Sequence, residues 1–199
     1  MPVPTTRDLI VEKADTLFYE GGYEATSFAE IAAAVGISRG NFYHHFKTKD
    51  DILDAVVQRR MIRTRAMLDA WQADGANPHD RILSFIQMLI ANRSKIMAFG
   101  CPVGTLCTEL AKLDHVAQGR AAEIFGLFRD WLTVQFRMLG AGDRAGQLAM
   151  HILSWSQGVA VMAIAFRDEA FIQTEVSRIE NWLANLPDLS PAEMERQCT

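Results

Sequence analysis

The sequence is poor in cysteine and has no excess of positive charge. Its 199 residues include only Cys101, Cys107 and Cys198, and no two of these are spaced as CxxC. An odd number without that spacing argues against a disulfide framework and against a zinc site, and it predicts a reducing cytoplasm. Because 20 basic residues stand against 24 acidic ones, binding of nucleic acid through bulk charge is excluded, and any such contact must be local.

Segments typical of secretion are also lacking. The first residues show no charged stretch followed by an apolar one, so we expect no signal peptide. Residues 145–166 carry no charge and are long enough to be mistaken for a membrane span. However, Gln147, His151, Ser154 and Gln157 share one face of a helix. The segment is therefore predicted to be a buried helix of a soluble bundle, without a membrane partner.

The common motifs of cofactor and metal sites are absent. There is no GxGxxG, P-loop or HExxH segment, and the adjacent His44 and His45 cannot share a metal as histidines four apart can. Residues 36–40 do satisfy GxSxG, the nucleophile elbow of serine hydrolases. That elbow needs a strand before the serine, whereas a helical pattern precedes Ser38. We expect no enzyme, no cofactor and no metal, and a serine hydrolase is only a remote alternative.

Helical periodicity dominates the chain. Apolar residues recur three and four positions apart, and no segment alternates as strands do. The predicted fold class is all-α, with an N-terminal three-helix helix-turn-helix domain and a larger C-terminal helical domain. The predicted helices cover residues 7–20, 27–35, 38–46, 50–72, 79–92, 105–112, 114–139, 144–166 and 169–186.

The most specific feature is a pair of short helices within residues 27–49. Ser27 and Glu30 have the spacing of a capping box, which opens the first of them. Gly36 permits a sharp turn, and Ser38 can cap the second helix. Apolar residues on both helices would share a small core, so this segment is predicted to be a helix-turn-helix.

The second short helix presents a polar face without carboxylates. From residue 31 to residue 49 there are three cations and two histidines but no acidic residue. Arg39 can pair with guanine, Asn41 can pair with adenine, and Gly40 lets backbone approach DNA. Phosphate contacts, which position the protein on the duplex, are predicted for a further group of residues: Ser27, Tyr43, His44, His45 and Lys49. Ser38 lies with Arg39 at the exposed start of this helix.

Residues 7–60 resemble the DNA-binding domain of the tetracycline-repressor (TetR) family. The likeness lies in Ser-Phe-Ala-Glu-Ile-Ala from residue 27 and in Val-Gly-Ile-Ser-Arg-Gly-Asn-Phe-Tyr-His-His-Phe-Lys-Thr-Lys-Asp-Asp-Ile-Leu from residue 35. It implies base contacts by Arg39, Gly40 and Asn41, and phosphate contacts by Tyr43, His45 and Lys49. His44 departs from the tyrosine that is common in the family. The family's members are two-domain homodimeric regulators with a variable ligand-binding domain.

This resemblance gives the predicted domain organisation. Residues 1–49 would bind DNA and a helix over residues 50–72 would connect the domains. Residues 50–187 would bind an effector and dimerise, and residues 188–199 would form a tail.

The predicted effector pocket is lined by large apolar and aromatic residues of the C-terminal domain. Ordinary core packing is the alternative for each of them. Because they carry few charges, the expected effector is apolar or aromatic. The candidates are Trp71, Phe85, Met88, Phe99, Leu106, Phe125, Phe128, Trp131, His151, Trp155 and Met162.

Two further patterns bear on regulation. Cys101 and Cys107 could sense electrophiles or oxidants, although cysteine is also a common buried hydrophobe. In the last helix, apolar residues spaced four and three apart form a heptad-like seam that predicts a homodimer interface, with internal packing as the alternative. The seam residues are Ile172, Val176, Ile179, Leu183 and Leu186.

The sequence therefore predicts a cytoplasmic transcriptional regulator. Its partners would be double-stranded operator DNA, an unidentified small effector and a second copy of the chain. A repressor released from a palindromic operator is preferred. The alternatives are an activator, a cysteine-based redox-sensing repressor, or a helical protein that uses its helix-turn-helix for protein contacts.

Overall fold

A computed structural model describes residues 4–186, and this range is helical without any strand. The all-α prediction is confirmed. The elements in order are α1 (Thr6–Gly21), α2 (Phe28–Val35), α3 (Arg39–His45), α4 (Lys49–Asp74), α5 (Pro78–Ala91), α6 (Arg93–Phe99), α7 (Pro102–Lys112), α8 (Gln118–Met138), a 3₁₀ turn (Gly142–Arg144), α9 (Ala145–Phe166) and α10 (Glu169–Ala184). The tail predicted for residues 188–199 lies outside the described residues.

Helix starts were predictable where side-chain caps exist. Ser27 accepts a hydrogen bond from the Glu30 amide while the Glu30 carboxylate accepts one from the Ser27 amide, so the predicted capping box is confirmed. The predicted cap at Ser38 is also confirmed. Asn77 caps α5 by accepting a hydrogen bond from the Asp80 amide. Helix α6 was not predicted, because Asn92 makes no side-chain cap at its start. Short uncapped helices leave little trace in a sequence.

The start of α8 was predicted four residues too early. Asp114 adopts φ = 49°, in the left-handed region, and the His115 amide donates to the Leu110 carbonyl at 2.9 Å. These contacts end the helical path of α7, so α8 begins at Gln118 rather than near Asp114.

The described chain packs as two compact units. Unit 1 comprises the described residues up to Thr64 together with Pro102–Ile124, and unit 2 comprises Arg65–Cys101 with the described residues from Phe125 onwards. In unit 1, α1 packs against both α2 and α7. The functional boundary predicted at residue 49 stays a prediction.

Unit 2 is built around α5, α9 and α10. Helix α10 packs on α5 and α9, and α9 also packs on α6. The seam predicted to face a partner subunit is instead covered within the chain, because Ile172, Val176, Ile179 and Leu183 are all buried and Leu186 is half-buried. That interface prediction is wrong. Heptad spacing marks the face of a helix that is buried but does not identify the helix that covers it.

Helix α9 has one buried face and one exposed face. By length and composition alone it is apolar enough to cross a membrane, but Ile152, Ser156 and Ala160 are buried against its neighbours in unit 2. The prediction of a buried helix holds for one face of α9 only, because the polar stripe that includes His151 and Ser154 lies on the exposed face.

Candidate nucleic-acid interface

The turn between α2 and α3 is built by one left-handed glycine. Gly36 has φ = 78° and ψ = 31°, and its amide donates to the carbonyls of Ala32 and Ala33. The Ile37 amide also donates to the Ala32 carbonyl, at 3.1 Å. A side chain at residue 36 would meet steric strain at this positive φ. The two helices are thereby joined by the sharp turn of a helix-turn-helix.

A small apolar core holds α3 in place beneath the turn. Phe42 and Phe46 are buried on one side of α3 and Ile31 is buried on α2. The ring of Phe28 lies 5.2 Å from that of Phe42. Because this face of α3 is fixed by packing, its opposite face is held towards solvent.

The exposed face carries the predicted base-contacting residues. Arg39, Gly40 and Asn41 form the first turn of α3, and all three are exposed. The Ser38 hydroxyl accepts a hydrogen bond from the Asn41 amide at 3.3 Å and so caps this turn. No neighbouring atom lies within 4 Å of the position of a Cβ on Gly40, so its backbone is open to a large ligand. The contact of Arg39 and Asn41 with base edges stays a prediction.

The predicted phosphate contacts fall in different surroundings. Tyr43 is 45% exposed, and its ring packs roughly perpendicular to that of Phe28, with 5.7 Å between the ring centres. His44 is exposed and His45 is half-buried. Ser27 is exposed, but its hydroxyl already accepts from the Glu30 amide. Tyr43 and His44 are therefore the freer of these groups, and all four assignments stay predictions.

Lys49 is held by the protein itself. Its Nζ donates to the carbonyls of Tyr23 and Glu24 at 3.1 and 3.0 Å, and it lies 4.4 Å from the centre of the Tyr23 ring. Binding a phosphate would have to compete with these contacts, so Lys49 is better placed to fix the start of α4 than to reach DNA.

Sequence reasoning passed over Lys47 and Thr48. Both are exposed in the link between α3 and α4. Thr48 caps α4 by accepting from the Asp51 amide at 3.0 Å, while the Asp51 carboxylate accepts from the Thr48 amide at 2.9 Å. Both residues belong to the segment without carboxylates, and that signal could have named them as candidate phosphate contacts.

A hydrogen-bond network ties the start of α4 to α7 within unit 1. The Glu109 carboxylate accepts from the amides of Tyr23 and Glu24 at 2.9 and 2.8 Å. The Tyr23 hydroxyl donates to Asp50 Oδ1 at 2.6 Å, and His115 Nε2 lies 3.4 Å from the same oxygen. The hydrogen bond from Tyr23 lowers the pKa of Asp50, whereas burial and this carboxylate raise the pKa of Tyr23.

The predicted effector-pocket residues converge only in part. Phe85 and Phe128 lie 5.5 Å apart, and Trp71 lies 6.5 Å from Phe85 and 5.8 Å from Trp131, measured between ring centres. Met88, Phe99, Phe125 and Trp155 are half-buried in unit 2, and Leu106 is buried in unit 1.

His151 and Met162 do not belong to that cluster. Both are exposed on α9, and the His151 ring packs 4.9 Å from Trp182 instead. Their assignment to the pocket stays a prediction that the aromatic cluster does not support, because both residues lie on the exposed face of α9. Cys101 and Cys107 are each half-buried, and their role as sensors stays a prediction.

The GxSxG segment does not form a nucleophile elbow. Ser38 follows helix α2 and the Gly36 turn, and it caps a helix with its hydroxyl. An elbow requires a strand before the serine, so the serine hydrolase alternative is wrong. Among residues 4–186, no group of three His, Cys, Asp or Glu side chains is placed to hold a metal ion.

Comparison with known proteins finds two matching family models. Residues 10–56 match the model described as bacterial regulatory proteins of the tetR family. Residues 78–176 match the C-terminal domain of LmrA/YxaF-like transcriptional regulators. The two matches together cover nearly three quarters of the chain.

Individual relatives and solved structures agree with these models. The chain is 25% identical to the HTH-type transcriptional repressor DhaR of Mycobacterium sp. (strain GP1), over 71% of this chain and 69% of that protein. It is 26% identical to the HTH-type transcriptional repressor BepR of Brucella suis, over 80% and 75%. The crystal structure of a TetR transcriptional regulator from Legionella pneumophila has the same fold, with a TM-score of 0.81 at 24% identity, over 91% of this chain and 98% of that one.

Proposed function

Because the chain belongs to the tetR family of bacterial regulatory proteins, we propose that it is a repressor that binds a palindromic operator as a homodimer. A small, largely apolar or aromatic effector would release it from the DNA. As a member of this family it is a DNA-binding transcriptional regulator, and the proposal concerns the sign of regulation, the partners and the residues. Its place of action would be the cytoplasm, where the operator lies.

The observation that carries the proposal is the first turn of α3. Arg39, Gly40 and Asn41 are exposed, are capped by Ser38 and project from a helix whose other face is anchored by Phe42. Glu30, the nearest preceding carboxylate in the sequence, is turned back onto the Ser27 amide. DNA would therefore meet one cation, Arg39, together with hydrogen-bond donors at this turn, and no carboxylate.

The homodimer is proposed to form through the exposed face of α9. Val161 and Phe166 are 57% and 73% exposed, and exposed Gly158 lies one turn before Met162 on the same helix. Apolar side chains beside a small residue allow two helices to approach closely. This surface replaces the buried seam of α10, and it supports a two-fold pair of chains whose α3 helices read half-sites about 34 Å apart.

The effector is proposed to release the protein from DNA by moving α4. This helix is continuous from Lys49 to Asp74 and carries Trp71 of the aromatic cluster near its end. A ligand that binds the cluster better in one position of α4 would shift the population towards that position. Release follows if the favoured position does not match the spacing of the operator half-sites.

The test is selection of random duplex DNA by the full-length protein, followed by binding across a salt series. Enrichment of a palindrome, with affinity that falls steeply with salt, is expected. Arg39→Ala should relax or abolish the selected sequence. Arg129→Ala, an exposed arginine of α8 paired with its neighbour Asp130, should not. A reporter gene under the selected operator then distinguishes repression from activation, and selection of no sequence would contradict the proposal.

A further inference from the structure

Two polar atoms of unit 2 are buried without a hydrogen-bond partner among the described residues. They are the indole Nε1 of Trp131 and the amide Oε1 of Gln135. Gln135 is fully buried, and its Nε2 donates to Gln72 Oε1 at 3.0 Å. An indole nitrogen can only donate and an amide oxygen can only accept. The pair therefore offers one donor and one acceptor.

The two atoms belong to the same face of α8. Trp131 and Gln135 are four residues apart, so their side chains project as neighbours, and Phe128 lies about one turn before Trp131 on the same face. The aromatic cluster continues from Phe128 through Phe85 to Trp71, which closes back on Trp131. The donor and acceptor thus lie next to aromatic rings from α4, α5 and α8.

This part of unit 2 is not sealed from solvent. Trp71 and Trp131 are half-buried, and Gln72 is exposed at the end of α4. A small molecule could reach Trp131 and Gln135 by displacing the edge of an indole ring. Movement of Trp71 would also displace the end of α4, the helix through which the effector is proposed to release the protein from DNA.

Unpaired buried polar atoms are uncommon in folded proteins, because each has lost its hydrogen bonds to water. Two such atoms of complementary type, on side chains four residues apart, would both be paired by one group that accepts and donates. A hydroxyl is such a group, and its two lone pairs and one proton suit either orientation of the Gln135 amide. A carboxylate or an ammonium does not fit, because the four aromatic residues of the cluster and the two glutamines beside it are uncharged and a buried charge needs a partner.

We propose that Trp131 and Gln135, together with the rings of Trp71, Phe85 and Phe128, bind an uncharged aromatic molecule that carries a hydroxyl group. The hydroxyl oxygen accepts from the Trp131 indole and its proton is donated to the Gln135 amide. The rings contact the apolar part of the ligand. This inference rests on the proposed effector binding in unit 2 and specifies the chemistry of that ligand.

The experiment compares 2-naphthol with 2-methylnaphthalene, which replaces the hydroxyl by a methyl group of similar size. The full-length protein has four tryptophans, so its indole N–H signals can be resolved by NMR after ¹⁵N labelling, and Trp131→Phe assigns one of them. We expect 2-naphthol to bind at least about tenfold more tightly than the methyl compound, since the latter leaves both polar atoms unpaired. The Trp131 indole signal should move on binding.

Variants test whether Trp131 and Gln135 form hydrogen bonds with the hydroxyl group of the ligand. Gln135→Leu keeps much of the side-chain volume and should reduce the preference for 2-naphthol to less than about threefold. The matched control Gln87→Leu changes an exposed glutamine of α5 that contacts Glu180, and it should keep the preference. If Gln135→Leu does not fold, Trp131→Phe gives the same test from the donor side.

Three results would overturn the inference: equal affinity for the two compounds, a preference that survives in both Gln135→Leu and Trp131→Phe, or no binding of either compound up to its solubility. Selection of operator DNA is measured separately. If the protein selects a palindrome but binds the two compounds equally, only the proposed hydroxyl-binding site is ruled out. If the protein selects no DNA but prefers 2-naphthol, the hydroxyl-binding site is supported and the proposed function is contradicted.

Discussion

The first turn of α3 and the middle of α8 use polar side chains in opposite ways. On α3, Arg39 and Asn41 are exposed to solvent, and only the helix beneath them is fixed by packing. On α8, Trp131 and Gln135 present polar atoms that have lost water and lack a partner among the described residues. An exposed group gains selectivity from how well a ligand matches it, whereas a buried group also penalises every ligand that fails to match.

The largest effect is expected from removing the packing on which the α3 surface depends. Phe42 is 1% exposed, so Phe42→Ala should lower the free energy of unfolding by about 3–5 kcal/mol and abolish DNA binding. Phe85→Ala removes an equally buried ring from unit 2 and should cost a similar amount. Chemical denaturation of both variants checks this, and a loss below 1 kcal/mol for Phe42→Ala would show that α3 is not anchored by this ring.

A smaller effect is expected when the exposed surface of α3 is changed without altering its packing. Asn41→Asp places a carboxylate where DNA is expected and removes the amide that pairs with adenine, so specific binding should weaken by about 1–3 kcal/mol. Stability should be unchanged or slightly higher, because an acidic residue in the first helical turn is favourable. The control is Asn181→Asp, which alters an exposed residue of α10. Equal loss of affinity in both variants would point to net charge rather than to a base contact.

At the buried site, a substitution should change ligand selectivity without lowering the free energy of unfolding. Gln135→Leu removes an unpaired buried oxygen together with one hydrogen bond to Gln72. The free energy of unfolding of the ligand-free protein should stay within about 1 kcal/mol of the parent value or rise, while ligand selectivity is lost. Urea denaturation of the two proteins measures the change. A loss above 2 kcal/mol would mean that the amide is needed for the fold and would remove the contrast with α3.

The smallest effect concerns the network at the start of α4. The Tyr23 hydroxyl lowers the pKa of Asp50, so the stability that this carboxylate contributes is present above its unfolded pKa near 4 and is lost as the pH falls through the folded value. Tyr23→Phe should raise the pKa of Asp50 towards its ordinary value, as read from an NMR titration. An unchanged pKa in this variant would assign the shift to His115 or Lys49.

The DNA-binding surface was more accessible to sequence reasoning than the ligand site. The Ser27 and Ser38 caps and the turn at Gly36 are local features, so residue type and spacing were sufficient to predict them. The seam of α10 shows the limit, since its spacing correctly marked Ile172 and Val176 as buried but could not tell an internal partner from a second chain. The unpaired atoms of Trp131 and Gln135 depend on contacts between α4, α5 and α8, and no local pattern encodes such contacts.

The contact of Glu109 with the amides of Tyr23 and Glu24 has a consequence for synthesis. It joins positions 86 and 85 residues apart in the chain, and unit 1 includes residues up to Ile124. A nascent chain that has emerged only as far as Thr64 lacks α7 and cannot complete this unit. Contacts of such long range close late in folding. A ribosome must therefore synthesise the chain through α7 before the helix-turn-helix can acquire its full set of native contacts.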